Sequence, residues 1–224
     1  MKPLLAIASL WVTVVSAVAL GGCPVDSPDP GTDAPACTLP FIGDATKSMT
    51  LEIIARDAAG RSSKVTEGGD VAIVYPPQGG RVIFVAARVT NVDPCAVKLS
   101  GVLRDLTTGQ VRLDIRTVNL VPTGDGFGSA LDADLSSFSN VPVCPNQWAT
   151  DDVDDKPYEL QVTVTDKSGR TATQKTKVVP RCAEPEREVE CRCICRKGYV
   201  LGQACTPSDA GPDAGSADAN EDGG

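Results

Sequence analysis

Residues 82–87 read Val-Ile-Phe-Val-Ala-Ala, and Arg-Val-Thr follows at 88–90. The first six residues are apolar without interruption, and polar residues alternate with apolar ones only from Arg88 onward. A short unbroken apolar run indicates a strand covered on both faces, whereas alternation indicates a strand with one face in solvent. We therefore expect 82–87 to form the centre of the core, and we interpret the rest of the chain around it.

Shorter alternating segments flank this run on both sides. Residues 51–56, 97–103 and 160–165 alternate apolar with polar side chains, and turns rich in Gly, Pro and Asp separate the segments. Roughly eight to ten short strands, with no convincing helix outside the N-terminal stretch, are typical of an all-β domain. The predicted architecture is an antiparallel β-sandwich with a small disulfide-tied C-terminal appendage and disordered tails.

The strand predicted after residue 110 breaks the pattern of alternation. Val111, Leu113 and Ile115 share one parity, whereas the next apolar residue, Val118, has the other. We expect the first three to face the core. A bulge near Thr117 would then bring the later residues to the same face, because one extra residue reverses the alternation.

The hairpin 158–173 reads Tyr-Glu-Leu-Gln-Val-Thr-Val-Thr, then Asp-Lys-Ser-Gly, then Arg-Thr-Ala-Thr. It resembles the last two strands of bacterial immunoglobulin-like and fibronectin-like domains. The resemblance covers this hairpin alone, and it implies an immunoglobulin-like β-sandwich over residues 37–181. Residues 57–61 repeat the Asp, Gly and Arg of the turn at the same spacing, which predicts the same turn chemistry at two places.

Residues 1–23 differ from the rest of the chain. Lys2, the apolar run 4–20 and the sequence Leu-Gly-Gly-Cys ending at Cys23 resemble the signal peptide and lipobox of a bacterial lipoprotein. The resemblance implies that Cys23 is lipidated and becomes the mature N-terminus, so that the chain is anchored to a membrane. The alternatives are an ordinary cleaved signal and an uncleaved membrane helix, which needs about 20 apolar residues.

The residue after Cys23 bears on the destination of such a lipoprotein. It is Pro24, whereas Asp at this place in Gram-negative lipoproteins often means retention in the inner membrane. The resemblance therefore implies a cell-envelope protein at the outer membrane or cell surface.

Residues 24–36 have little to bury and are predicted to be a flexible linker. Residues 206–224 repeat Asp-Ala-Gly, as in similar tails of surface proteins from myxobacteria and their relatives, and are predicted to be a disordered acidic tail.

The chain has nine cysteines, an odd number for a protein of an oxidising compartment. Assigning Cys23 to lipid leaves eight, which are expected to form four disulfides. We expect Cys95 to pair with Cys144, and Cys37 to tie the start of the domain to its end. The candidates are Cys37, Cys95, Cys144, Cys182, Cys191, Cys193, Cys195 and Cys205.

The segment 182–205 is rich in cysteine. The sequence Cys-Ile-Cys-Arg-Lys-Gly-Tyr at 193–199, closed by Cys205, resembles the C-terminal half of an epidermal-growth-factor-like module. The resemblance implies that Cys195 pairs with Cys205. It leaves Cys193 to pair with Cys182 or Cys191, and the segment becomes an EGF-like hook beside the sandwich.

Aspartates are frequent between residues 122 and 155, where strand patterns are weak. Calcium takes six to eight oxygen ligands from such loops, but the closing glutamate of a twelve-residue calcium loop is missing. We expect a solvated acidic loop and no cofactor, with weak calcium binding as the alternative. The candidate ligands are Asp125, Asp132, Asp134, Asp151, Asp152, Asp154 and Asp155.

Trp148 is the only tryptophan outside residues 1–23. We expect it to pack on the Cys144 disulfide; the alternative is an exposed anchor for a sugar or a protein.

The chain has no histidine, which removes Ser-His-Asp and Cys-His catalysis, and we do not expect an enzyme.

Between residues 37 and 205, 21 Asp and Glu stand against 20 Lys and Arg, and no basic face predicts a nucleic-acid partner. The sequence favours a module for binding or structural display, which uses loops or an edge strand to contact a protein or glycan at the cell surface. The alternatives are calcium-dependent adhesion, an accessory subunit and a small envelope hydrolase.

Overall fold

The computed structural model describes residues 37–147 and 151–206. The lipobox with Cys23, the linker, Trp148 and nearly all of the acidic tail lie outside the described residues. The described residues belong to one compact unit, and their regular structure is almost entirely β. The all-β class predicted from the sequence is confirmed.

The described residues contain eleven strands and one α-helix. Two 3-10 turns, Leu135–Ser137 and Pro185–Arg187, precede the strand Ser139–Cys144 and the helix Glu188–Cys195 respectively. No helix among the described residues is long and apolar enough to cross a membrane. The elements are β1 (Thr50–Arg56), β2 (Ser62–Lys64), β3 (Gly69–Ile73), β4 (Arg81–Thr90), β5 (Val97–Asp105), β6 (Val111–Val118), β7 (Val121–Pro122), β8 (Gly128–Ser129), β9 (Ser139–Cys144), β10 (Tyr158–Thr165), β11 (Thr171–Cys182) and α1 (Glu188–Cys195).

The strands form two sheets that share one hydrophobic core. The first sheet has the order β2-β1-β4-β8-β7, and β9 also pairs with β4; the second has the order β3-β11-β10-β5-β6. Pairing is antiparallel except between β3 and β11, which are parallel. The antiparallel pairing predicted from the sequence therefore holds for every strand pair in the described sheets except this one. Both sequence neighbours of β3 lie in the other sheet, so no hairpin sets its direction.

The apolar run 82–87 lies inside β4, and every residue from Arg81 to Ala87 is buried. Strand β4 has neighbours on both sides within its sheet. Its Phe84 packs edge-to-face against Phe138, with ring centroids 6.4 Å apart. The prediction that this run forms the centre of the core is confirmed, because both of its faces are covered.

The two predicted turns with the same chemistry are present, one in each sheet. Asp57 accepts the main-chain N–H of Arg61 at 2.8 Å, and Asp166 accepts that of Arg170 at 3.0 Å. In both turns the glycine at the fourth position has a positive φ, a conformation in which a side chain is strained. Local sequence was sufficient to predict these turns because the carboxylate and the N–H group that close each turn lie within five residues of one another.

Strand β6 presents the opposite face from the one predicted. Val111, Leu113 and Ile115 point into solvent, whereas Arg112, Asp114 and Arg116 are half-buried toward β9. The register with β5 runs without a shift from Arg104–Val111 to Val97–Val118, so the predicted bulge near Thr117 is also wrong. Val118 has the parity of the three charged residues and reaches the core without a bulge.

All eight candidate cysteines are paired, but the pairings differ from those expected. The bridges are Cys37–Cys95, Cys144–Cys195, Cys182–Cys191 and Cys193–Cys205. Cys95 therefore does not join Cys144, Cys37 does not reach the end of the domain, and Cys193 joins neither Cys182 nor Cys191.

The EGF-like pairing of Cys195 with Cys205 is wrong because residues 188–195 form a helix. Residues four apart share a helix face, so Cys191 and Cys195 lie together, with their sulfurs 4.0 Å apart. Cys193 falls on another face and pairs with the C-terminal turn. We keep the name hook for residues 182–205.

A buried cation also joins the hook to the sheets. The side chain of Arg81 is fully buried at the start of β4, and its Nη2 donates to Glu190 of α1 at 3.0 Å. The Tyr75 ring lies 4.8 Å from the Arg81 guanidinium carbon and 4.1 Å from that of Arg187. Charge pairing and aromatic stacking therefore dock the hook in addition to its disulfides.

Candidate functional site

Three apolar side chains lie exposed along the outer face of β6. Val111 is 42% exposed, Leu113 is 50% exposed and Ile115 is 49% exposed. We call these three residues the β6 stripe. Strand β6 stands at the end of its sheet and pairs with β5 alone among the described strands. The stripe therefore lies on an edge strand, where a further strand could pair.

The charged residues of β6 explain why the apolar ones face outward. Asp114 Oδ2 accepts the main-chain N–H of Asn140 in β9 at 2.8 Å and the Nε–H of Arg116 at 2.9 Å. The Ser139 hydroxyl donates to the carbonyl of Asp114 at 3.0 Å. These groups join the edge of one sheet to the edge of the other. Pairing them offsets the cost of burying polar atoms.

Asn146 is the buried junction of the surrounding segments, and it is 1% exposed. Its Oδ1 accepts Arg112 Nη2 of β6 at 2.6 Å. Its Nδ2 donates to the carbonyls of Asp151 and Cys195, at 2.9 and 3.0 Å. Sequence reasoning missed this residue, because an Asn after a Pro is typical of an exposed loop.

A groove continues from the β6 stripe toward this junction. It has a volume of about 460 Å³ and lies between the start of β6 and the end of β9. Val111 and Leu113 line it on one side, and Pro142, Val143 and Pro145 line it on the other. Gln110, Arg112, Asn146 and Gln147 also line the groove. The stripe and the groove together form a long surface with apolar walls and some polar groups, a shape suited to an extended chain.

The candidate calcium ligands before β9 are each held by separate partners. Asp125 pairs with Arg88 and accepts the Thr123 hydroxyl at 2.6 Å. The hydrogen bond from Thr123 is the main reason why the pKa of Asp125 lies below its usual value; slight desolvation opposes it and Arg88 adds to it. Asp132 accepts the main-chain N–H of Ser62, and Asp134 caps the 3-10 turn before β9.

The aspartates of 151–155 tie this loop to the hook and to β11. Asp152 accepts the main-chain N–H of Lys197 at 2.8 Å, and Asp154 accepts that of Cys182 at 2.8 Å. Asp155 pairs with Arg181. Among the described residues, one group of three side chains brings possible metal-ligand atoms within 4.8 Å of one another. It consists of Cys182, Cys191 and Cys195. All three are in disulfides, and no three of the seven aspartates come together in this way among the described residues. Six of the seven carboxylates have partners of their own, and Asp151 contributes its main-chain carbonyl, which accepts Asn146 Nδ2.

A second exposed apolar pair lies at the tip of the hook. Val200 is 66% exposed and Leu201 is 67% exposed. The turn beneath them is held by Tyr199, whose hydroxyl donates to the carbonyl of Gln203 at 3.0 Å. Two residues on a turn offer no strand edge with which another chain could pair. The tip is therefore a suitable control for substitutions in the β6 stripe.

The described residues define a disulfide-bonded all-β domain with an exposed apolar strand at one sheet edge. Comparison of the chain with protein-family models, with curated proteins and with solved structures finds no match. The geometry of this edge therefore carries the evidence on function. The roles of Cys23 and Trp148, which lie outside the described residues, stay predictions.

Proposed function

We propose that the chain is a cell-envelope lipoprotein, anchored through Cys23 at the outer membrane or cell surface, whose β domain is a displayed binding module. The observation that supports the binding role is the β6 stripe, whose three side chains are each about half exposed. Edge strands of soluble proteins are usually protected by charges, prolines or bulges, because an unprotected edge templates pairing with another chain. The inner face of β6 carries such charges, but its outer face is apolar at Val111, Leu113 and Ile115. An exposed apolar face on an edge strand is typical of an interaction site.

We further propose that the two sheets have the immunoglobulin-like arrangement. The order β1-β4-β9 corresponds to strands A, B and E of that fold, and β11-β10-β5 corresponds to G, F and C. Strand β6 then takes the place of C′, the edge strand that variable-type domains add.

The buried Tyr158 also supports this arrangement. It is the first residue of β10, and its hydroxyl donates to the carbonyl of Asp152, six residues upstream, at 3.3 Å. A buried tyrosine with such a bond at the start of strand F is the tyrosine corner of immunoglobulin-like domains.

Replacing the stripe by threonine in the variant Val111→Thr/Leu113→Thr/Ile115→Thr is expected to abolish partner capture without unfolding the domain. Threonine keeps the β propensity of the strand but removes apolar area that a partner would bury. We expect chemical crosslinking of the full chain to its partner in the envelope to fall by about tenfold or more.

The matched control is Val200→Thr/Leu201→Thr, which removes exposed apolar groups at the hook tip. It should crosslink like the wild type. Circular dichroism should show the same melting temperature for both variants within about 3 °C. Undiminished crosslinking in the stripe variant would rule out β6 as the binding surface.

The Cys23→Ala substitution is expected to remove lipid from the chain. Radiolabelled palmitate supplied to cells that produce the full chain should label the wild type and not the variant, because the cysteine sulfur carries lipid in this class of protein. The neighbouring change Pro24→Ala leaves Cys23 intact and should retain the label. Equal labelling of the wild type and Cys23→Ala would disprove the anchor.

A further inference from the structure

We propose that the partner of the β6 stripe is a second copy of this chain, paired antiparallel through β6 about a two-fold axis at Leu113. This inference rests on the binding role proposed for the stripe. It adds to that role the identity of the partner and the register in which the two β6 strands pair. Pairing would join the second sheet of each copy into one continuous sheet of ten strands.

The main chain of β6 is available for such pairing. In an antiparallel ladder, alternate residues turn their N–H and C=O groups away from the neighbour they pair with. No loop or side-chain hydrogen bond among the described residues reaches the main chain of Val111, Leu113 or Ile115. The free side of β6 therefore offers donors and acceptors to an incoming strand.

The outer face of β6 is complementary to itself in one register. With Leu113 on the axis, Leu113 lies opposite its own equivalent, and Val111 lies opposite Ile115 of the second copy. All three stripe residues then meet apolar partners. Cross-strand apolar pairs of this kind stabilise a sheet by about 0.2–1 kcal/mol each.

The inner face is complementary in the same register, because Arg112 lies opposite Asp114 of the second copy in two symmetric pairs. Asp114 uses only Oδ2 for its bonds to Asn140 and Arg116, so Oδ1 remains for an arginine across the interface. Opposite charges placed directly across an antiparallel pair are stabilising.

The neighbouring registers lose this match. An axis at Asp114 places the two Asp114 carboxylates against each other and Arg112 opposite Arg116, and like charges in directly opposite positions are destabilising. An axis at Ile115 places Leu113 opposite Thr117 and takes Val111 beyond β6. With the axis at Leu113, both the apolar face and the charged face of β6 match their own equivalents. Because one short sequence supplies both pairing strands, this match favours a second copy over a foreign strand.

Single cysteines in the full-length chain test both the partner and the register. Under mild oxidation in the membranes of producing cells, Leu113→Cys should form a reducible dimer. Residues directly opposite have Cβ atoms about 4.5–5.5 Å apart, close to disulfide range. Val111→Cys alone should not form one, because its equivalents stand four residues out of register, roughly 13 Å along the strand. Co-produced Val111→Cys and Ile115→Cys chains should crosslink to each other.

Val200→Cys places a cysteine at the exposed hook tip. The amount of dimer that this variant forms in the same membrane measures crosslinking by random collision. A Leu113→Cys dimer no more abundant than the Val200→Cys dimer would overturn the inference, as would equal dimer from Val111→Cys alone. If Leu113→Cys instead crosslinks to another protein, the second copy is wrong but the binding role stands. If the threonine stripe variant leaves all crosslinking unchanged, the binding role itself fails.

Discussion

Replacing both Cys144 and Cys195 by alanine lowers the free energy of unfolding by an expected 4 kcal/mol or so. The bridge spans 51 residues, and in the chain-entropy model a cross-link of this length removes about 4 kcal/mol of freedom from the unfolded state. It is also the one covalent link between β9 and the helix of the hook. Urea unfolding of the full chain, followed by circular dichroism, measures the loss.

The matched control is the variant Cys182→Ala/Cys191→Ala, whose bridge spans only 9 residues. Its expected cost is smaller, about 2.6 kcal/mol in the same model. The native contacts of the hook persist in both variants, because Arg81 and Asn146 still hold α1. If the Cys144/Cys195 variant loses less than the control, loop length does not govern the stability of this domain.

The Gly101→Val substitution is expected to cost more than about 3 kcal/mol of folding free energy. Gly101 lies at the middle of β5, where a Cβ atom would meet Val85 Cγ2 at 2.6 Å, Ser139 Oγ at 2.7 Å and Val141 Cγ2 at 2.9 Å. All three distances are shorter than atoms tolerate, and two of the neighbours are branched side chains in the packed interior. Overpacking of this kind forces neighbouring strands apart.

A double-mutant cycle separates crowding from a general intolerance of change in β5. Val85→Ala should relieve part of the cost of Gly101→Ala, so that the two changes together cost less than their sum. Ser100→Val, one residue earlier on the outer face, should stay within about 0.5 kcal/mol of the wild type. Additive costs in the cycle would show that the space beside Val85 is not what excludes a side chain at 101.

Much of the fold follows from short stretches of sequence. The run 82–87 is buried on both sides of the chain, and the inward positions of β5, at 97, 99, 101 and 103, are all buried as their alternation predicts. The turns after Asp57 and Asp166 form as expected because one carboxylate accepts N–H groups from its own turn. In each turn the interactions that fix the structure are local. In each strand the apolar residues of that strand alone indicate which of its positions are buried.

The candidate site depends on contacts that no local pattern contains. The calcium alternative required the carboxylates of residues 122–155 to converge, but they are dispersed. A loop groups them in sequence, whereas the fold gives most of them separate donors. The cysteine count predicts the number of bridges. It cannot predict partners, because pairing depends on which helix and strand faces meet, such as α1 against the end of β9.

Strand β6 separates what sequence determines from what tertiary structure decides. The alternation of Val111, Leu113 and Ile115 with Arg112, Asp114 and Arg116 by itself determines that this is a strand with one apolar and one charged face. The sequence as a whole also indicates the all-β class and places eight cysteines outside residues 1–23. Only the tertiary structure decides which face of β6 is turned inward. That choice depends on Asn140 and Asn146, which approach from β9 and the segment after it and accept or donate the bonds that the charged face requires. Alternation reports which residues share a face, whereas burial depends on the distant segment that covers it.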